Sequence, residues 1–101
     1  MTISYELSKR LSDAGFPQGG KGTWVMPPDK IVSRREDRVY VPTLEELVEA
    51  CGERFGSLFR SVDDDTRGKW GAFDVHIRLE GSGSTSAEAV ARLWLALKAK
   101  A

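Results

Sequence analysis

His76 and Cys51 are the only histidine and cysteine among 101 residues, so they frame what chemistry the chain can do. An unshifted histidine is the side chain that titrates near neutral pH. His76 sits two residues from Asp74 and two from Arg78, on the polar side of an alternating stretch. A general base needs a nucleophile or a substrate pocket beside it. Local sequence places neither there, so a surface histidine is expected and no catalytic residue is assigned. Cys51 falls on an apolar helical stripe, where burial makes a thiol a poor nucleophile. One cysteine forms no internal disulfide, and one cysteine with one histidine makes no zinc site without added carboxylates or a second chain. No metal or cofactor is therefore expected.

Three loops imitate ligand-binding motifs. Gly15-Phe-Pro-Gln-Gly-Gly20-Lys21-Gly22 nearly spells a phosphate-binding loop, but Gly22 stands where a Mg²⁺-binding hydroxyl is needed. It also leaves a helix and enters a strand, the reverse of the order that aims a helix N-terminus at phosphate. Asp63, Asp65, Gly68 and Asp74 mimic a calcium loop, yet Arg67 places a cation where a ligand oxygen belongs. Gly81-Ser-Gly83-Ser-Thr-Ser86 lacks the third glycine of a dinucleotide loop, and fifteen residues after it are too few to complete the unit. Each reads better as a turn or a helix cap.

The charges balance, fifteen basic against fifteen acidic, so no global field steers the chain to nucleic acid or an anionic membrane. Their distribution is uneven. Residues 1–42 hold seven bases and five acids, 43–66 two and seven, and 67–101 six and three. Lys30, Arg34, Arg35 and Arg38 form a basic cluster, with Trp24 and Tyr40 as stacking surfaces on adjacent strands. This is the candidate nucleic-acid contact, since such affinity comes from several phosphate contacts and base stacking.

The elements that position these residues follow from periodicity. Ile3, Leu7, Leu11 and Ala14 mark an amphipathic helix, capped by Ser4 or Thr2 and ended by Gly15. Thr23–Met26 and Arg38–Val41 read as paired strands, joined by an irregular loop at about 27–37. Thr43 and Glu46 form a capping box for a helix with Leu44, Leu47, Val48 and Cys51 on one face. Phe55–Val62 is a strand, and Trp70–Leu79 alternates as one long strand. Its face of Phe73, Val75, Ile77 and Leu79 is expected inside, with Ala72, Asp74, His76 and Arg78 wet. Thr85 and Glu88 suggest a second capping box, opening a last helix with Val90, Leu93, Trp94 and Leu97. Leu95, with Ala87 and Ala91 alongside, widens that stripe beyond one face and is the candidate protein interface.

The expected fold is a single α+β domain over 1–101, ordered α-β-β-α-β-β-α, with a mostly antiparallel sheet and helices packed on it. The longest apolar run, Leu93–Leu97, is too short to span a bilayer, and early charges at Glu6, Lys9, Arg10 and Asp13 leave no signal-peptide core. A cytoplasmic setting is the default for such a chain.

Three segments together resemble small uncharacterised proteins of bacteria and their phages or prophages. They are Tyr40-Val-Pro-Thr-Leu-Glu-Glu-Leu-Val-Glu-Ala-Cys-Gly52, Trp70-Gly-Ala-Phe73 and Gly83-Ser-Thr-Ser-Ala-Glu-Ala-Val-Ala-Arg-Leu-Trp-Leu-Ala-Leu97. Ser86 stands where proline is common in that family. The resemblance rests on caps and core stripes, and implies no assigned function. The resulting expectation is a noncatalytic accessory domain, a protein-interaction or self-association module. Nucleic-acid binding through the basic loop is the alternative, and an enzyme centred on His76 the remaining one.

Overall fold

The computed structural model describes residues 3–25, 38–60 and 69–100. Helix α1 spans Tyr5–Asp13, and its N-cap is Ser4, whose hydroxyl accepts from Leu7 N at 3.2 Å. Ile3, Leu7 and Leu11 are buried along its apolar stripe. The helix ends where glycine permits a left-handed residue: Gly15 has φ +94°. Phe16 N then donates to Leu11 O and Gly15 N to Ser12 O, the paired bonds of a Schellman cap. That cap drives Phe16 into the core, edge-on to Trp94 with ring centroids 5.0 Å apart.

Strands β1 (Thr23–Val25) and β2 (Val39–Val41) pair antiparallel, with Trp24 opposite Tyr40. Pro42 follows, and helix α2 (Leu44–Cys51) begins with both halves of the expected box. Glu46 N donates to the Thr43 hydroxyl at 3.2 Å, and Thr43 N donates to the Glu46 carboxylate at 3.0 Å. Leu47 and Cys51 are buried from its apolar face. Gly52, at φ +60°, turns the chain through a short 3₁₀ segment, Gly52–Arg54.

A second sheet contains β3 (Phe55–Arg60), β4 (Trp70–Asp74) and β5 (Glu80–Gly83), antiparallel in that order. Helix α3 (Ser86–Lys100) closes the chain and lies across this sheet, while α1 and α2 pack against α3. The architecture is therefore α+β, with the expected order of helices and strand groups. Inside the last group, the alternating stretch Trp70–Leu79 is not one strand. It stops at Asp74, turns through Val75–Ile77 and returns as β5. The Asp74 carboxylate closes that turn by accepting from Arg78 N at 2.7 Å and Leu79 N at 2.9 Å. An aspartate that satisfies the following backbone N–H groups is a turn former, and here it overrides the β pattern.

The box at Thr85 and Glu88 also differs from expectation by one residue. Glu88 N donates to the Thr85 hydroxyl, but the Glu88 carboxylate accepts from Ser84 N instead of Thr85 N. The interface assigned to Ala87, Ala91 and Leu95 needs a larger correction. Ala87 and Ala91 are 5% and 0% exposed within the chain, and Leu95 is partly buried. The wide stripe of α3 serves the sheet and two helices at once, so its extra apolar width is used inside the monomer. One buried cluster draws Leu7, Phe16, Val41, Leu47, Ala72 and Leu93 together. The loop at 27–37 lies outside the described residues.

Candidate functional site

Of the expected faces, His76 and Arg78 are exposed and Leu79 packs partly buried on the core as expected, but the rest is filled the opposite way. Ala72 and Asp74 point inward, at 0% and 2% exposure, while Val75 and Ile77 are 50% and 72% exposed. The cause is how closely α3 approaches. Gly81 backs onto Ala89 O and the backbone of Leu93, and Gly83 onto Glu88 and Ala89, so a Cβ at either would collide. Over β5 there is no room for a side chain, and Ala72 of β4 pairs with Gly81 on that side. Leu58 and Trp70 share the side of Ala72 and pack partly buried against the core, whereas Phe59 and Phe73 lie on the other side.

Among the described residues, no helix packs on that opposite face. It carries Ser57 and Phe59 from β3, Gly71 and Phe73 from β4, and Glu80 and Ser82 from β5, by register. Lys69 falls on the same side by alternation. Phe59 lies over Gly71, where a Cβ would strike its ring. Phe59 and Phe73 stack with centroids 5.2 Å apart and planes 18° apart, and Phe59 is 39% exposed. Beyond Phe73 the hairpin tip adds Val75 and Ile77. Ile77 holds φ +56°, a conformation β-branched residues avoid at about 1–2 kcal/mol.

The polar groups that sequence suggests for chemistry are occupied elsewhere. Asp74 accepts the Leu79 and Arg78 N–H groups, and these bonds, the first above all, hold its carboxyl below the usual range despite burial. His76 is exposed on the turn. Burial pushes the Cys51 thiol up to about 11, so it is protonated and inert at neutral pH. Tyr40, 1% exposed, is not a stacking surface. Its hydroxyl lies 2.7 Å from both Glu46 carboxylate oxygens and accepts from Gly20 N at 2.9 Å and Gly22 N at 2.6 Å. Burial, then the bond to Glu46, raises the phenol above its ordinary value. Burial opposes the Glu46 charge, but bonds from Tyr40 and Thr43 outweigh it and hold that carboxyl low. The network ties the glycine loop to the start of α2, so Gly20 and Gly22 donate to a side chain and not to a phosphate.

Arg38 is exposed at the start of β2, whereas Lys30, Arg34 and Arg35 lie outside the described residues, as do Asp63, Asp65 and Gly68. Among the described residues no group of three histidines, cysteines or carboxylates gathers to hold a metal. One hollow of about 260 Å³ is lined by Phe16, Pro17, Glu46, Glu49 and Ala50. Another of about 310 Å³ is lined by Arg10, Arg92, Leu95, Ala96 and Ala99. The first falls below the range for small-molecule sites and the second at its bottom, and His76 lines neither.

No family model matches the chain, and no curated protein or solved structure is similar to it. The sequence did not reveal Phe59, Val75 and Ile77 as surface residues, or half-buried Phe73 as the ring stacked on Phe59. One signal was present: an aspartate before Val-His-Ile marks a turn as well as it marks a polar strand position.

Proposed function

We propose that the chain is a noncatalytic accessory module that binds another macromolecule, and that the open face of the three-stranded sheet is its working surface. The carrying observation is the placement of the Phe59–Phe73 stack on the side away from α3, with Val75 and Ile77 exposed on the neighbouring hairpin turn. Exposed aromatic and aliphatic residues in one patch with polar neighbours have the character of an interface. The noncatalytic part of the reading is supported by Asp74, Tyr40 and Glu46, whose bonds complete turns and a cap. A protein-interaction or self-association role fits this apolar centre best. A cytoplasmic, phage- or prophage-type setting belongs to the same proposal and rests on the single buried thiol and the motif resemblance. Among the described residues no helix is long and apolar enough to cross a membrane.

Surface and core roles separate by stability. Phe59→Ser is expected to cost less than about 1 kcal/mol in urea unfolding, as surface changes do. Ile77→Gly is expected to gain about 0.5–1 kcal/mol by relieving the left-handed strain. A Phe59→Ser loss of about 3 kcal/mol or more would place the ring in the core and end the reading. Nucleic acid retains Trp24, 49% exposed, and Arg38 as support. Anisotropy titrations with DNA and RNA decide it, and flat curves at low salt reject it.

A further inference from the structure

We infer that the partner on the open sheet face is a second copy of this chain, packed face to face about a two-fold axis that crosses β4 at Gly71. This rests on the proposal that the face is a binding surface and adds what covers it.

Phe59 and Ser82 are level with Gly71, on its two sides. Glu80 is level with Phe73, two residues along β4 in one direction. Lys69 stands two residues from Gly71 in the other direction. At about 3.4 Å per residue, the lysine and the glutamate are each about 7 Å from the Gly71 level, on opposite sides. A two-fold axis through that level reverses the strand direction. It therefore brings Lys69 of each copy opposite Phe73 of the other, level with Glu80 one strand away and within a side chain's reach, and sets Phe59 against its own symmetry mate. The same patch meets itself, which is what an isologous dimer requires.

Charge selects this occupant over a nucleic acid. Of the described residues on the face, Lys69 is basic and Glu80 acidic, so that part of the surface is neutral and self-complementary instead of basic. The chain is also neutral, so two copies meet without long-range repulsion. The centre is aromatic and the margin is polar, Ser57, Ser82, Lys69 and Glu80, which is the usual anatomy of a protein interface. Edge pairing at β5 is hindered, because Arg92 donates to Ser82 O at 2.6 Å and Glu88 accepts from Ser84 N. Three strands and five residues span only about 14 by 17 Å. The interface is thus small, and a dimer in rapid exchange is expected, with a Kd of roughly 10–500 μM.

Sedimentation of the full chain from about 10 μM to 1 mM, at low salt, tests this at concentrations that bracket that affinity. The wild type is expected to shift from monomer to dimer. Phe59→Ser weakens association at least tenfold. Lys69→Glu alone and Glu80→Lys alone each weaken it several-fold, by setting like charges together. The double exchange restores it to within about twofold, a rescue that a merely structural role would not give. A wild type that stays monomeric at 1 mM overturns the inference, and so does a double exchange no better than either single one. An oligonucleotide that shifts the Phe59 and Phe73 resonances of a monomeric chain assigns the face to that ligand and rejects the dimer. A monomer in which Phe59→Ser leaves stability intact removes only the second copy. A Phe59→Ser variant that loses core-like stability removes the binding surface as well.

Discussion

At the scale of single residues, the carboxylates of Glu46, Asp74 and Glu88 stabilise backbone by accepting its N–H groups. Asp74 is the clearest case. Its carboxylate accepts two N–H groups and so anchors the hairpin between β4 and β5. A carboxyl held below its ordinary value contributes stability that is complete above the unfolded-state pKa and disappears as pH falls through the folded one. The advantage of wild type over Asp74→Asn is therefore expected to be full at pH 7 and to shrink below about pH 4, near the ordinary aspartate value. Urea midpoints for both chains from pH 7 to pH 2 measure it. A constant offset across that range would mean that the charge of Asp74 contributes nothing. His76, beside it in sequence, is exposed on the turn that Asp74 holds.

At the scale of elements, caps and close approaches decide the geometry. Thr43→Ala removes the hydroxyl that accepts from Glu46 N and is expected to cost about 1 kcal/mol. Gly81→Ala acts differently, since its new methyl group meets the backbone of α3 at Ala89 and Leu93, which is not free to swing aside. A loss of about 1–3 kcal/mol, the range for overpacking, is expected from thermal or urea unfolding. If Gly81→Ala proves neutral, the contact between helix and sheet is looser than the geometry requires. This contact was not legible in the sequence, because glycines in Gly-Ser-Gly read equally well as a flexible loop. The helix ends were legible: Ser4, Gly15, Thr43 and Gly52 act within a few residues of themselves.

Across the whole molecule, α3 is the element that the others share. Its Val90 and Leu93 are fully buried, and Trp94 meets Phe16 from the cap of α1. Leu93→Ala is therefore expected to cost about 2–5 kcal/mol. Its effect should be global: far-ultraviolet dichroism and tryptophan fluorescence should shift together, as in a two-state transition. Separate midpoints for the two probes would show that the β1–β2 ribbon, with α1, unfolds apart from the larger sheet.

Helices, their caps and the α+β class were determined by the residues alone, because helical spacing, capping hydroxyls and terminal glycines operate over three or four positions. The alternation of Trp70–Leu79 carried less information than it promised. A period of two marks a pair of faces without saying which one is buried, and it does not show where the strand folds back. Tertiary structure settled both points. Helix α3 comes close enough over β5 that Gly81 and Gly83 have no room for a side chain, Phe59 and Phe73 lie on the far side of the sheet, and the Asp74 carboxylate draws the following N–H groups into a turn.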